Sequence, residues 1–521
     1  MKGSPFVHGD FRGGLNTKAA NYLLEDTQCR DCLNVQSTTT GAIVKRPGIT
    51  TVASQTPSFT SLYAIESTSS DHFLAATSTT LNKIVGSAIT SVSTGETSGQ
   101  WALVEATTDT TGPSLTPAET SQGPVFLSNG NVSKAWDGTT LVDWTMDVNS
   151  TLDVPGAAVP PHTISLVHES RIVIASGSTI YWSEVQVGTG TLPRTWMLEN
   201  QQLFDPDDGD EITGLGRVGS NLIVFKKHKI FVVYDINTGA NRRLTTNIGC
   251  VSNRSIKETP FGTLFLADSG VYVTGGNSCD LISDQITPTI LALNATSTAT
   301  AEFHRNHYYL SVGTVTLDYD LLLKSWWKHS FGTIGDFATR FNNSVEELYC
   351  TVGGKLGRMF DLGTYTDFGT AYSWLWAGPW LAPGQARTVY PAVRKRMKAI
   401  RVDGLGSAKL SVDKDFYDTN TPVSAQNPSG TVSTSLFAIS EGTTFGPTQP
   451  DPTYFGDFNS NNGSPILTGP TTFCDVSPIS QARIWGQGVA RSWALTFENA
   501  TTNTTAATIQ NYTIFTQERN Q

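Results

Sequence analysis

From residue 60 to 363 the chain alternates short apolar runs with clusters of Gly, Asn, Ser and Asp, the signature of strands joined by tight turns. Strand ends bearing an aromatic, and often an acid, recur: "KAWDG" at Trp136, "TIYWSE" at Trp182, "FVVYD" at Tyr234, "GVYVTGG" at Tyr272, "TLDYD" at Tyr319 and "GRMFD" at Phe360. Successive aromatics lie 46, 52, 38, 47 and 41 residues apart. A period of about 45 residues with four short strands per unit is the repeat of a β-propeller blade. Counting "SLYAIESTSSDHFLAATSTTLNKIVGS" as an earlier unit predicts six to seven degenerate blades.

The flanks differ. "DFGTAYSWLWAGPWLAPGQA" reads as a junction, and "RKRMKAIRVDGLGSAKLSVDKDF" begins an alternation in which Met397, Ala399 and Val402 lie among Lys398, Arg401 and Lys409. Alternation means one dry and one wet face, as in an antiparallel sandwich. "ARSWALTFEN" and "NYTIFTQ" are its last strands, and a long Gly/Ser/Pro/Thr loop runs from "NPSGTVSTS" through "DFNSNNGSPILTGP". The expected organisation is all-β. An N-terminal arm occupies residues 1–55, a β-propeller 56–364, and a C-terminal β-sandwich domain with the long loop 365–521. In the arm, Asp26 or Thr27 can cap a short helix through Asn34. Pro47 restricts the following strand to an edge or an end, and Ile43 to Ile49 is expected to close the propeller ring or dock on its last blade.

Composition supports strands over helices. Charged residues are 15% of 521, low against roughly 25% in soluble domains, and Thr, Ser, Gly and Asn fill the difference. A formal net charge of -10 argues against tight non-specific nucleic-acid binding. Six cysteines are too few for a disulfide scaffold. "MKGSPFVHGDFRGG" has no apolar core of a secretory signal, and no window reaches 18 consecutive apolar residues, so neither export nor a membrane span is expected. The Asn-x-Ser/Thr triplets at Asn131, Asn149, Asn253, Asn294 and Asn342 are then chance products of Asn- and Thr-rich sequence.

Candidate chemistry is sparse. Cys29 and Cys32 form C-x-x-C without a second pair, which points to structural use rather than a metal finger. "FDPDDGDEI" gathers Asp205, Asp207, Asp208 and Asp210 around Gly209, a weak Ca²⁺ candidate that lacks EF-hand spacing and otherwise reads as a solvated inter-blade loop. The basic islands are Lys45 with Arg46; Lys226, Lys227 and Lys229 around His228; and Arg394, Lys395 and Arg396. In an acidic chain they suit protein–protein interfaces. His162, His168, His304 and His307 have no nucleophile elbow nearby, and no Walker or Rossmann glycine loop is present, so no catalytic residue, cofactor or enzyme activity is expected. Sialidase boxes are missing. Trp136-Asp137 is the one WD-like pair, and Gly275-Gly276 and Gly353-Gly354 are a faint kelch echo.

One stretch carries more. In "FRGGLNTKAANYLLEDTQCRDCLNVQSTTTGAIVKRPGIT", Gly13, Gly14, Leu15, Asn34, Val35, Gly41, Lys45, Arg46, Pro47 and Gly48 resemble the amino end of bacteriophage tail proteins. These are the tail nozzle, or tail tubular protein B, and the related head-to-tail stabilisation proteins. The later "DDGDEITGLGRVGSNLIVFKKHKIFVV" and "KRMKAIRVDG…LSVDKDF" look like the same family's propeller and C-terminal segments. The resemblance implies a structural virion protein assembled in the host cytoplasm. Six copies would form a ring beneath the portal and its adaptor, pass DNA through an acidic channel during ejection, and hold fibres or tip proteins. The alternative is a carbohydrate-binding or depolymerising propeller of the tail. It would need exposed aromatics beside two carboxylates, with Trp144, Trp182 and Trp196 as the candidates.

Overall fold

The computed structural model describes residues 5–65, 72–105, 125–136, 138, 140–185, 195–294, 296–342, 345–382, 395–406, 408–414, 432–436, 480–485, 489–490, 492–499, 504 and 506–518. Among them the fold is almost entirely β, with one α-helix, Thr287–Leu293. No described helix is long and apolar enough to cross a membrane. The chain divides into two compact units: Thr51–Thr316 with Phe331–Met359, and Met1–Thr50 with Leu317–Ser330 and Phe360–Gln521.

The first unit is a β-propeller of seven blades, each an antiparallel sheet met in chain order. Blade 1 is Ser61–Ile65, His72–Ala76, Thr80–Val85 and Ala88–Thr94. Blade 2 is Ala102–Glu105, Val125–Ser128, Ser133–Trp136 and Leu141–Asp143; blade 3 is Ile164–His168, Arg171–Ser176, Thr179–Ser183 and Trp196–Leu203. Blade 4 is Ile212–Val218, Asn221–Lys226, Ile230–Asp235 and Ala240–Thr245; blade 5 is Lys257–Thr259, Gly262–Ala267, Gly270–Thr274 and Cys279–Leu281. Blade 6 gives this unit the hairpin Thr300–His304 and His307–Val312. Blade 7 is Ile334–Asn342, Val345–Val352 and Lys355–Asp361, with Gly48–Ser54 as its outer strand.

The period-2 geometry of strands explains the uninterrupted apolar runs, because a blade is buried on both faces. In "NLIVFK", Leu222 and Val224 join the core shared with blade 3, which includes Val173, Trp182 and Phe204. Ile223 and Phe225 face the other way, into a core with Phe265 and Tyr272 of blade 5. Blades 1 and 2 share Leu74, Trp101 and Trp136, and blades 2 and 3 share Phe126, Trp144 and Trp196. The ring closes where Ala53, Phe73, Ala338, Tyr349 and Leu356 pack together. Ala53 comes from Gly48–Ser54, so this strand, and not Ile43 to Ile49 as a whole, performs the closure. Ile43–Lys45 instead pairs with Val35–Ser37.

Two-residue hairpins set the register inside blades. Gly219 at φ 59° and Gly353 at φ 58° take the left-handed first position that suits the strand twist. The pair Gly353-Gly354, read above as a kelch echo, receives the closing segment: Gln55 N–H donates to Gly354 O at 2.7 Å and Phe59 N–H to Gly353 O at 2.9 Å. A Cβ on Gly354 would overlap the Gln55 carbonyl oxygen, a backbone atom that cannot rotate away. Gly354→Ala is therefore expected to cost about 2–3 kcal/mol, read as a lower urea midpoint. An unchanged midpoint would contradict this account of the closure.

The second unit is a β-sandwich. One sheet has the order Ser480–Trp485, Lys395–Gly406, Ala507–Glu518, Ile43–Lys45, Val35–Ser37; the other runs Asp31–Leu33, Leu375–Leu381, Trp493–Glu498, Ala408–Lys414, Val432–Leu436. Aromatic contacts join the two inner faces: Phe11 meets Trp376 edge-on at 5.0 Å, Trp376 lies 5.9 Å from Phe497, and Phe497 lies 6.1 Å from Tyr512. The arm of residues 1–55 is thus no separate domain, since its strands complete both sheets. No helix runs from Asp26 to Asn34. Gln28–Cys29 pairs with Gly14–Leu15 and Asp31–Leu33 with Leu375–Ala377, so strand pairing overrides the local capping signal. Of the long loop, only the strand Val432–Leu436 falls within the described residues.

Candidate functional site

The inner strands of all seven blades surround a cavity of about 680 Å³ at the propeller axis. Each contributes its opening residues, among them Tyr63, Trp101, Ser165, Thr213, Lys257 and Glu302. Arg254 sits in the short turn Asn253–Ser255 ahead of blade 5. Its Nη1 donates to Thr60 O at 3.1 Å and Gly335 O at 2.8 Å, and its Nη2 to Thr298 O at 3.3 Å. One guanidinium therefore ties blade 5 to the strand starts of blades 1, 6 and 7. Asp336 lies 3.5 Å from Arg254 Nη1 and accepts from Leu62 N–H (3.1 Å), Phe337 N–H (3.0 Å) and Thr300 Oγ1 (2.7 Å). Lys257 pairs with Glu302 at 2.8 Å. These four charges are compensated within the wall itself, which suits a partly desolvated site.

The acidic loop and the "KKHK" patch are two halves of one cluster. Pro206–Asp208 lies between blades 3 and 4, and residues 227–229 form the tip of a blade 4 hairpin. Asp208 receives Lys226 Nζ at 2.8 Å and Lys229 Nζ at 2.7 Å; Asp205 receives Lys229 at 3.1 Å and Arg243 at 3.3 Å; Asp210 lies 3.1 Å from His228 Nδ1. Burial pulls the Asp208 carboxyl up, but Lys226 and Lys229 together outweigh it and hold it below the usual carboxylate range. Oxygens engaged by ammonium groups are not arranged for Ca²⁺, which corrects that candidate; Asp207 is left exposed. Lys226 is fully buried and so is no interface residue, whereas Lys227 is exposed.

Lys45 and Arg46 are also interior, another correction to the interface expectation. Arg46 has no exposed surface. Its Nε donates to Asn34 Oδ1 at 2.9 Å, its Nη1 and Nη2 grip the Asp367 carboxylate at 2.9 and 2.5 Å, and its guanidinium lies 4.0 Å from the Tyr372 ring centre. The Tyr372 hydroxyl donates back to Arg46 O. Asn34, held at φ 55°, spends its amide on Ser330 Oγ (2.9 Å) and Ser373 O (2.7 Å). Lys45 Nζ lies 4.5 Å from the Tyr372 ring centre, and burial, with Arg46 beside it, pushes its ammonium down to about 8. Lys395 is buried too. Arg396 is placed by its strand position opposite Gln517, and Arg394 lies outside the described residues.

The remaining candidates are structural. Cys29 and Cys32 are buried, and burial, reinforced by Cys32 and Asp31, raises the Cys29 thiol well above its ordinary value. Trp144, Trp182 and Trp196 are buried in blade cores and offer no face to a sugar. His162, 3% exposed, is bonded through Nδ1 to Pro160 O at 2.8 Å, and burial pushes it down to about 4. The unfolded chain keeps an ordinary imidazole near 6.5. It therefore binds the extra proton between the two values, and native stability falls as pH drops from about 6.5 toward 4. His162→Gln is expected to flatten that slope; an identical slope in urea titrations at pH 7 and pH 5 would contradict the assignment.

No protein-family model matches the chain, and no curated protein matches its sequence. Solved structures do. An extracellular domain assigned to a one component system of B. thetaiotaomicron is 9% identical with a TM-score of 0.41, over 60% of this chain and 40% of that one. PorZ, a surface component of the type-IX secretion system of Porphyromonas gingivalis, is 10% identical with a TM-score of 0.35, over 65% of this chain and 44% of its own. This chain thus spans less than half the length of either.

Proposed function

We propose that this chain is a structural component of a bacteriophage tail: six copies form a nozzle ring or tube below the portal and adaptor, which conducts DNA during ejection and anchors fibres or tip proteins. The observation that carries the reading is where the tail-protein motif falls in the sandwich. Every polar or glycine position of "GGL…NV…G…KRPG" sits at a joint. Gly14, at φ 65°, lies against the Trp326 backbone, and Gly41 O accepts from Phe11 N–H. A Cβ on Gly48 would overlap Thr366 O. Asn34 and Arg46 form the polar hub just described. A motif that fastens the amino end into a sandwich, with its cations turned inward, belongs to a building part rather than to a ligand site. The net charge of -10 agrees, since an acidic conduit repels phosphate and lets DNA slide.

Ring assembly uses head-to-tail interfaces that close by rotation. Light scattering of the full chain mixed with its adaptor is expected to show a species carrying six copies of the 56.1 kDa chain. Chains that stay monomeric beside a folded adaptor would count against the ring.

A further inference from the structure

Two rims of the propeller carry opposite charge, and each turns apolar surface to solvent. The first is the segment 147–156 between blades 2 and 3. It is tightly bonded: Gly156 N–H donates to Met146 O at 3.0 Å, and Thr151 and Leu152 N–H donate to Trp196 O at 2.9 and 3.0 Å. Leu198 N–H donates to Thr151 Oγ1 at 2.9 Å, which pins the segment to the outer strand of blade 3. Despite this order, Val148 is 81% exposed, Val154 68% and Leu198 55%. Asp153 and Glu199 stand exposed beside them in sequence, and among the described residues no cation pairs with either. Neither residues 143–161 nor the strand Trp196–Leu203 contains a lysine or an arginine.

The second rim is the outer strand of blade 4, Ala240–Thr245, whose sequence "ANRRLT" has two arginines, no acid and its first four residues exposed. Arg242 donates through Nε to the Tyr234 hydroxyl at 3.0 Å and through Nη2 to Gly276 O at 3.4 Å, so among the described residues its charge meets no carboxylate. Arg243 reaches Asp205 at 3.3 Å but stays nearly half exposed. The Tyr234 ring, also nearly half exposed, adds aromatic surface. We propose that the two rims are the head-to-tail interface between neighbouring copies of this chain, an inference that rests on the ring reading above and names its contact surfaces. The carboxylates Asp153 and Glu199 of one copy meet the Arg242 and Arg243 guanidiniums of the next, and Val148, Val154 and Leu198 pack on Tyr234. Ordered apolar side chains left in solvent and flanked by charge mark an interaction surface. Charge selects the pairing: a two-fold contact of either rim with itself would set acid on acid or arginine on arginine, whereas head-to-tail contact matches both.

The test mixes the full chain with its adaptor and reads copies per assembly by light scattering. Asp153→Arg with Glu199→Arg makes both rims basic, and Arg242→Glu with Arg243→Glu makes both acidic. Each chain alone is expected to need at least about tenfold more protein to assemble than the parent. An equal mixture of the two is expected to recover six copies, because unlike chains alternate and six is even. Val148→Lys sets a cation against the arginines and is expected to weaken assembly similarly. Its side chain is largely in solvent, so it keeps the test open should Arg243→Glu, which faces Asp205, unfold the blades; melting temperatures show which chains are folded. Parental assembly by a folded variant alone, or a mixture of folded variants that stays monomeric, overturns the interface and leaves the ring reading standing. A parent that itself stays monomeric overturns the ring reading, and this inference with it.

Discussion

Replacing Arg46 by methionine is expected to destabilise the sandwich unit by about 3–5 kcal/mol, the cost of breaking a buried ion pair on one side only. The guanidinium is wholly enclosed and holds Asp367 through a bidentate fork, while Asp367 is 15% exposed. Without the cation, that carboxylate loses its two-pronged donor, Asn34 Oδ1 is left with Ser330 N–H alone of these two donors, and the Tyr372 ring loses its stacked partner. Arg46→Lys keeps the charge but not the planar fork, so it recovers only part of the loss. Arg46→Met combined with Asp367→Asn removes both charges and is expected to be less damaging than Arg46→Met alone, with a coupling above about 1 kcal/mol. Hydrogen exchange in Lys395–Gly406 and Ala507–Glu518 reads the effect locally. Parental protection in Arg46→Met would refute the hub.

Arg254→Met is expected to cost the propeller about 2–4 kcal/mol, from three charge-assisted hydrogen bonds to carbonyl oxygens. The ion pair with Asp336 adds little to that figure, because at 3.5 Å and with Arg254 21% exposed it is screened by water. Asp336 keeps two backbone donors and the Thr300 hydroxyl, so the loss concentrates at Thr60, Thr298 and Gly335. Faster exchange is expected in Ser61–Ile65, Thr300–His304 and Ile334–Asn342, the strand starts that the guanidinium ties together. A urea midpoint within experimental error of the parent would show that the blades close without it.

The propeller was legible because its signal is periodic. Trp136, Trp182, Tyr234, Tyr272 and Phe360 each fall in the third strand of their sheet, so the spacing of the aromatics followed the blade repeat. Blade 1 has the third strand "TLNKIV", with no aromatic, and only its apolar alternation revealed it. The sandwich was legible at its carboxyl side alone. Its amino-terminal strands are two to three residues long, too short for any period, and one of them, Asp31–Leu33, pairs with Leu375–Ala377, hundreds of residues away.

The charged sites failed for a related reason. The acids at 205–210 and the cations at 226–229 were each visible, but their pairing depends on a hairpin tip meeting an inter-blade loop across two sheets. Arg254 stands alone in "VSNRSIKE" and bonds to carbonyls 194, 81 and 44 residues distant in sequence, which no residue type encodes. Lys45 and Arg46 looked like a surface pair because adjacent cations usually are solvated. Only the positions of Asp367, Tyr365 and Tyr372 reveal a compartment built to hold them.

Quantitative mass spectrometry of phage particles purified from cells that produce this chain, with its copies scaled to the portal protein, addresses the central claim. A hexameric nozzle beneath a twelve-subunit portal predicts about half as many copies of this chain as of the portal. Absence of the chain from purified particles would contradict the tail assignment. A copy number equal to the portal's, or of three or fewer per particle, would contradict the nozzle position.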